Sequence, residues 1–234
     1  MKNLLNMALV ALLLPGIVMA ADTITLSFSP SVDSYVDQAY PTTSYSGSDT
    51  LGTQGTIGFA ITDNQPTSVQ QSYLQFDVSQ AVSDIPAGAT IESVVFGVYL
   101  YDIAADSAEP SVDLFYAEDN WDNSITWNTS PDEIGDTLGT QMNLGVVGYY
   151  EWDLLNNSEV SWVDTGVWTD GTVSFLLAPT NDETWNGAYF YSSEGQYQPY
   201  LKITYSVVPA PGSITLAVLG LSSIAAIRRK KAGL

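Results

Sequence analysis

Short runs of apolar residues recur along the middle of the chain, and many of them alternate with polar residues on a period of two. The run from Ser72 to Asp77 alternates in this way, and the run from Val112 to Tyr116 does so again. Such runs have the length and the β-branched and aromatic content of β-strands. Strands are therefore predicted at residues 24–28, 72–77, 90–101, 112–116, 146–152, 172–177, 188–191 and 200–205.

Turn-forming sequences separate these runs. Examples are Pro86-Ala87-Gly88, Asp170-Gly171 and Asn186-Gly187, because glycine and proline interrupt regular structure and permit tight turns. One segment of this region, Asn157 to Val163, is predicted to form a helix of one or two turns. Many short strands with turns between them favour an all-β fold, a β-sandwich of antiparallel strands.

The N-terminus carries an apolar segment that follows a positive charge. Lys2 precedes a mostly apolar run from Leu4 to Val18, and the small residues Ala20 and Ala21 come shortly after it. This arrangement is typical of a secretory signal peptide, which is cleaved after small residues. We therefore expect residues 1–21 to direct export across the inner membrane, with a buried first helix of the domain as the alternative.

The C-terminus has a second apolar segment, with a proline-rich entrance and a basic exit. Residues 206–212 contain two prolines, the 14 residues from Ile214 to Ile227 carry no charge, and four basic residues follow. Fourteen helical residues cover roughly 21 Å, which is less than the ~30 Å hydrocarbon core of a bilayer. The basic residues would stay on the cytoplasmic side.

This tail, residues 206–234, resembles the PEP-CTERM sorting signal that exosortases recognise in Gram-negative bacteria. The matching residues are the apolar segment together with Val208, Pro209, Pro211, Arg228, Arg229 and Lys230. Ala210 stands where that signal most often has glutamate. The resemblance implies transient insertion in the inner membrane through a C-terminal apolar helix and cleavage near the prolines by an exosortase-type enzyme. It also implies delivery to the cell surface or extracellular matrix, and a plain tail anchor is the alternative.

The region between the two ends, residues 22–205, is strongly acidic. It holds all 26 acidic residues of the chain and one of the six basic residues, Lys202, which gives it a formal charge of −25. Nucleic acid and anionic lipid are excluded as partners, since both are bound through lysine and arginine. The chain has neither cysteine nor histidine, which excludes disulfides, thiol nucleophiles and histidine-based acid–base catalysis.

A series of motifs runs through this acidic region. They are Asp33-Ser-Tyr35-Val-Asp37, Tyr40-Pro41, Leu74-Gln-Phe76-Asp77, Pro86-Ala-Gly88-Ala-Thr90-Ile91, Trp121-Asp122, Thr126-Trp127, Tyr150-Glu-Trp152-Asp153, Tyr191-Ser-Ser-Glu194 and Pro199-Tyr200-Leu201. In this order they resemble the DNRLRE domain, which is related to disaggregatase repeats and to alginate-binding carbohydrate modules. The resemblance implies a jelly-roll β-sandwich that recognises polysaccharide and often holds a structural calcium ion. The sequence departs from it in a shortened stretch between Trp121 and Thr126, and in lacking basic residues for a polyanion.

Asp33, Asp37 and Glu194 are the candidate calcium ligands. Asp33 and Asp37 flank Tyr35, which is predicted to be extended, and the resemblance implies that Glu194 approaches them from near the last strand. Carboxylate oxygens suit Ca²⁺, which takes six to eight oxygen ligands, many of them backbone carbonyls. The alternative is that these are surface carboxylates that cap turns.

Trp185 and Tyr197 are the candidate glycan-binding residues, because each is an aromatic residue in a polar loop. A lid over the edge of the sandwich is the alternative role for both. Trp121, Trp127 and Trp152 lie in strand-like motifs instead, and aromatic side chains there bury large areas. They are therefore predicted to belong to the core.

Together these observations favour an exported, non-catalytic surface or matrix protein that binds or organises polysaccharide, with calcium dependence as a further expectation. A structural matrix protein without a specific ligand is one alternative, and the charge of −25 and the scarcity of basic residues suggest it. A glycan-cleaving enzyme with paired carboxylates is the other. No pair of carboxylates in the sequence forms a recognisable catalytic constellation.

Overall fold

The computed structural model describes residues 21–45, 56–60, 69–105, 110–155, 170–180 and 186–207. Within these ranges the chain forms eleven β-strands, one α-helix and one 3-10 helix. The strands are β1 (Asp22–Phe28), β2 (Val32–Asp37), β3 (Thr56–Ala60), β4 (Gln70–Asp77), β5 (Thr90–Ala105), β6 (Val112–Ala117), β7 (Glu133–Gln141), β8 (Gly148–Asp153), β9 (Thr172–Pro179), β10 (Asn186–Tyr191) and β11 (Tyr200–Val207). The helix α1 spans Ser79–Asp84, and the 3-10 helix spans Trp127–Thr129.

The strands form two antiparallel sheets. The six-stranded sheet has the order β1-β11-β5-β10-β3, with β8 also paired to β5, and the five-stranded sheet has the order β2-β4-β9-β6-β7. Val95 of β5 pairs with both Lys202 of β11 and Asp153 of β8, so β11 and β8 flank β5 on opposite sides. The predicted all-β sandwich of antiparallel strands is confirmed. The helices predicted at the two ends of the chain lie outside the described residues.

The main core lies between the sheets and is built from alternate residues of each strand. Phe96 of β5, Phe76 of β4 and Phe175 of β9 are fully buried there. Their ring centroids lie 6.1 Å (Phe76–Phe96), 5.9 Å (Phe76–Phe175) and 4.9 Å (Phe96–Phe175) apart. Burying a side chain of this size stabilises the fold by ~1.5–3 kcal/mol, so this cluster holds the two sheets together.

The outer face of the five-stranded sheet is buried as well. Residues 118–132, which connect β6 to β7, lie across it. Trp121 of this segment packs against Tyr73 of β4, with ring centroids 6.0 Å apart, and its Nε1 donates a hydrogen bond to Ser174 Oγ of β9 at 3.0 Å. The six inner residues of β9 are buried in succession as a result.

The three tryptophans predicted to belong to the core do so. Trp152 and Trp121 are 3% and 9% exposed, and Trp127 is half-buried against the cluster on the outer face of the five-stranded sheet. Trp152 lies in β8, where the alternation of the strand directs its side chain into the core. Trp121 and Trp127 lie instead in the irregular connection between β6 and β7, and they are buried because that connection packs on the sheet rather than because of a strand pattern.

The structure adds elements that the sequence pattern does not predict: the strands β2, β3 and β7 and the helix α1. The edge strand β7 is mostly exposed, so it lacks the inward apolar residues by which strands are recognised. In β2 the buried residues include Asp33 and Asp37, which interrupt the apolar pattern. The helix α1 has six residues, too few for a helical period to show, and the predicted helix at 157–163 lies outside the described residues.

Residues Thr23–Ser206 form one compact unit. Among the described residues, no helix combines the length and apolar character needed to span a membrane. Residues 1–20 and 208–234 lie outside the described ranges, and Ala21 directly precedes β1. The signal peptide and the sorting tail, with all their predicted residues, therefore stay predictions.

Candidate functional site

Seven tyrosines gather on the outer face of the six-stranded sheet. Those in strands occupy the positions between inward residues, as Tyr99 does between the buried Val98 and Leu100. The seven are Tyr99 and Tyr101 of β5, Tyr149 of β8, Tyr189 and Tyr191 of β10, Tyr200 of β11, and Tyr197 of the loop between β10 and β11. We call this surface the tyrosine stripe.

Six of these rings form a continuous path across the sheet. The distances between successive ring centroids are 5.2 Å (Tyr200–Tyr149), 5.1 Å (Tyr149–Tyr99), 5.7 Å (Tyr99–Tyr191), 5.2 Å (Tyr191–Tyr101) and 6.4 Å (Tyr101–Tyr189). The seventh ring, Tyr197, stacks on Tyr99 at 4.2 Å with an interplanar angle of 14°. Neighbouring rings at such separations attract one another, so the stripe is an ordered surface rather than a set of independent side chains.

Strand register brings the central rings together. Tyr99 and Tyr149 are direct partners in the pairing of β5 with β8, and cross-strand neighbours on one face of a sheet lie close enough for aromatic side chains to touch. The two residues are 50 positions apart in the sequence. Their contact is therefore a product of the fold and not of either segment alone.

Two glycines allow the rings of the stripe to lie close to the backbone. A Cβ atom at Gly97 would lie 2.4 Å from Cζ of Tyr200, and one at Gly195 would lie 2.7 Å from Cβ of Tyr191. Real Cβ atoms essentially never approach other atoms so closely, so any larger residue would displace these tyrosines. Gly97 in the centre of β5 thus has a role in shaping the surface, which explains a glycine where it would otherwise weaken a strand.

The rings are partly open to solvent. Tyr149 is 45% exposed and Tyr197 is 38% exposed, while the other five tyrosines are half-buried. A tyrosine presents an electron-rich apolar face and a hydroxyl group that can both donate and accept a hydrogen bond. Such a surface can stack against the C–H face of a sugar ring and hydrogen-bond its hydroxyl groups.

Charged groups surround Tyr200 at one end of the stripe. Its hydroxyl donates a hydrogen bond to Glu151 Oε1 of β8, and Lys202 Nζ lies 3.8 Å from the centroid of its ring. Burial, followed by the hydrogen bond to Glu151 and its negative charge, raises the pKa of Tyr200 well above its usual range. Tyr200 therefore stays a neutral hydrogen-bond donor and holds Glu151 at the edge of the stripe.

The loop that carries Tyr197 is attached to the opposite sheet through Asp33. The backbone N–H of Ser193 donates to Asp33 Oδ2 of β2 at 2.6 Å, and Asp33 is 6% exposed. The pKa of Asp33 is raised to about 6, mainly by burial and to a lesser degree by the negative charge of the nearby Glu194, while the hydrogen bond from Ser193 opposes this rise. Asp33 thus links the five-stranded sheet to the stripe on the other sheet.

Comparison with known protein families identifies the kind of domain to which this surface belongs. Residues 24–205 match the family described as carbohydrate-binding module family 96. The chain belongs to carbohydrate-binding module family 96. A search of curated proteins returned no significant match. Because modules of this kind bind carbohydrate, the predicted carbohydrate partner is confirmed. Such a module binds its ligand without catalysing a reaction. The likeness to the DNRLRE domain and to PEP-CTERM tails stays a prediction.

The module does not bring the three predicted calcium ligands together. Asp33 and Glu194 interact electrostatically, whereas Asp37 accepts hydrogen bonds from Ala39 N and Gln70 Nε2, both at 2.8 Å. Asp37 lies four positions after Asp33 along the strand, which corresponds to about 13 Å. In the part of the chain that the structure describes, no group of three or more His, Cys, Asp or Glu side chains could hold a metal ion. The three side chains do not fit one calcium site, and calcium binding stays a prediction.

Of the two predicted glycan-binding residues, Tyr197 lies in the tyrosine stripe of the module, and Trp185 lies outside the described residues. The other six tyrosines of the stripe were not predicted as site residues. Their signal is present in the sequence as tyrosines at outward positions of strands, in Val98-Tyr99-Leu100-Tyr101 and Ala188-Tyr189-Phe190-Tyr191. The same alternation describes a tyrosine that packs under a loop, so the pattern alone does not assign the role.

Proposed function

We propose that this protein is an exported, non-catalytic polysaccharide-binding protein, and that it binds the glycan on the tyrosine stripe. The observation that supports this proposal is the continuous path of six rings with successive centroid distances of 5.1–6.4 Å. A row of aromatic faces suits a chain of linked sugar rings, because each ring can offer a stacking surface to a different part of the chain.

The openness of the stripe supports a ligand that is a polymer. In the part of the chain that the structure describes, the seven tyrosines lie on the outer surface of a sheet and no pocket encloses them, and Tyr149 and Tyr197 expose the most area. A contiguous exposed aromatic patch on a soluble domain marks an interaction surface. An open face accepts an inner stretch of a long chain, whereas an enclosed pocket would require a chain end.

The place of action that we propose follows from the two ends of the chain. The signal peptide would export the protein across the inner membrane, and the tail would deliver it to the cell surface or extracellular matrix after processing by an exosortase-type enzyme. The absence of cysteine and histidine supports a role in binding rather than catalysis for the whole protein.

The test is a binding measurement with the full-length chain against a panel of soluble polysaccharides, followed by calorimetry with the best ligand. Tyr149→Ala and Tyr197→Ala should each weaken binding by at least about tenfold, as truncated aromatic residues at the centre of an interface do. Tyr40→Ala is the matched control, because Tyr40 is 61% exposed and lies outside the stripe.

Unchanged affinity in both stripe variants would refute the stripe as the binding surface. An equal loss in the Tyr40 variant would have the same consequence, because it would show that exposed tyrosines contribute without regard to position. Absence of binding to every polysaccharide in the panel would favour a structural matrix protein without a specific ligand.

A further inference from the structure

We infer that the tyrosine stripe prefers polysaccharides that carry amino groups over neutral ones, and neutral ones over polymers of uronic acid. This inference rests on the function proposed above and concerns the charge of the ligand. It follows from the carboxylates that border the stripe, from the position of Lys202, and from the charge of the whole domain.

Carboxylates stand at both ends of the path of rings. Glu151 accepts the hydrogen bond of Tyr200 at one end, and Asp102 is the register partner of Tyr189 at the other. Asp153 lies two residues beyond Glu151 and therefore on the same face of β8. All three carboxylates are exposed, so a bound glycan would pass between groups that attract cations and repel anions.

The only ammonium group that the sequence supplies between residues 22 and 205 already lies on a ring of the stripe. Lys202 Nζ is 3.8 Å from the centroid of Tyr200, which is within the range of a cation–π contact. This pair shows how an ammonium group sits on these rings. The more exposed rings of Tyr149 and Tyr197 can receive the ammonium group of an amino sugar in the same way.

A polymer of uronic acid is negatively charged and would be repelled by this surface. It would have to approach a region of formal charge −25, and the one lysine available to it is engaged with Tyr200. Like charges across an interface slow association and weaken the complex. A neutral glycan avoids this repulsion but gains only the stacking and hydrogen bonds, which places it between the two charged classes.

The experiment uses three oligosaccharides of equal length and the full-length chain at fixed low ionic strength. The probes are a β-1,4-linked hexamer of glucosamine, its fully N-acetylated counterpart, and a hexamer of a uronic acid, at a pH where the amino groups are protonated. We expect the amino hexamer to bind about fivefold more tightly than the acetylated one, which corresponds to one exposed ion pair. We expect no measurable binding of the uronic acid hexamer.

Two variants separate a specific effect from general attraction to an acidic protein. Glu151→Gln keeps an acceptor for the Tyr200 hydroxyl and removes the charge, and it should lower the preference for the amino hexamer by about two- to fivefold. Asp136→Asn removes one charge from an exposed position of β7 on the other sheet and should leave the preference unchanged.

The outcomes distinguish this inference from the proposed function. Equal binding of the amino and acetylated hexamers, abolished by Tyr149→Ala, would overturn the charge preference and retain the stripe as the binding surface. Equal effects of the Glu151 and Asp136 variants would overturn it too, since attraction would then be non-specific. Binding that is insensitive to Tyr149→Ala and Tyr197→Ala would refute the proposed function itself.

Discussion

The two sheets of the sandwich differ in what covers their outer faces. Residues 118–132 lie across the five-stranded sheet and bury Trp121 there, whereas the described part of the six-stranded sheet carries partly exposed tyrosines on its outer face. Trp121 has a single polar atom, which one bond to Ser174 satisfies. A tyrosine can instead pack one side of its ring on the sheet and keep its hydroxyl in water. The comparison shows how one chain uses aromatic residues for packing on one face and for contact with a ligand on the other.

The two sheets also differ in the burial pattern of the residues along their strands. In β9 six successive residues are buried, as expected of a strand covered on both faces, while in β11 half-buried and buried residues alternate from Tyr200 to Tyr205. An alternating strand has one face in the core and one toward solvent. The outer face of β11 is the face that carries Tyr200 and Lys202.

The largest effect is expected from removing the cover of the five-stranded sheet. Trp121→Ala should lower the free energy of unfolding by about 3–5 kcal/mol, because it leaves a cavity beside Tyr73 and removes the hydrogen bond to Ser174. Urea denaturation measures this loss. Molecules that remain folded should bind the glycan with unchanged affinity, since Trp121 lies on the other sheet from the stripe.

Tyr149→Ala is the counterpart of that variant on the open face. It should change the free energy of unfolding by no more than about 1 kcal/mol, as for most exposed positions, while it lowers glycan affinity. If Trp121→Ala proves as mild as Tyr149→Ala, the cover over the five-stranded sheet does not stabilise the fold. The aromatic residues on the two outer faces would then contribute equally to the free energy of unfolding.

A smaller effect is expected at Asp33, the residue that connects the two regions. Its pKa in the folded protein, about 6, lies above the ordinary value of 3.8, so the folded state binds a proton more tightly than the unfolded chain. The stabilisation from that proton is complete below about pH 4 and is lost as the pH rises through 6. It amounts to about 2–3 kcal/mol in total.

Asp33→Asn tests this expectation, because an asparagine oxygen can still accept the hydrogen bond from Ser193 N and carries no charge. The variant should be more stable than the wild type by about 2–3 kcal/mol at pH 7 and equally stable near pH 3.5. Urea denaturation of both proteins over this pH range measures the difference between their free energies of unfolding. The two proteins share all other acidic residues, so the contribution of those residues cancels in this difference. A variant that is less stable at neutral pH would mean that the ionised carboxylate strengthens the link between loop and sheet.

Much of the fold was predictable from the sequence, because apolar residues at alternate positions of the long strands show which face of each strand is buried. Residues 90–101 and 200–205 are examples, and they lie within the observed β5 and β11. The edge strand β7 was not predictable, since its stability comes from pairing with β6 rather than from its own apolar residues. Whether an outward aromatic residue is covered depends on where a distant loop lies, as residues 118–132 do, and no local pattern contains that information.

The candidate site was predictable only in part for the same reason. Tyr197 could be proposed because its loop is polar, but Tyr99 and Tyr149 become a site only through the register of β5 with β8. Asp33 and Glu194 were expected to approach each other, and the structure places them within electrostatic reach. Asp37 was expected to join them, but it binds its own turn through Ala39 N.

The smallest effect is expected from calcium, and it bears on how the two sheets are joined at Asp33. The described residues bring together two of the three predicted carboxylates there, which leaves four or more of the usual six to eight ligands to be found among backbone carbonyls and water. We therefore expect calcium and a chelator to give the same melting temperature at constant high ionic strength, in the wild type and in Asp33→Asn alike.

Constant ionic strength matters, because any salt screens the repulsion among the acidic residues. A specific site would behave differently: at a calcium concentration of 100 times its Kd it would add ~2.7 kcal/mol. Such a gain, present in the wild type and absent from Asp33→Asn, would establish that a bound cation and not a proton relieves the buried charge of Asp33, and the pH dependence expected above would then shrink when calcium is present.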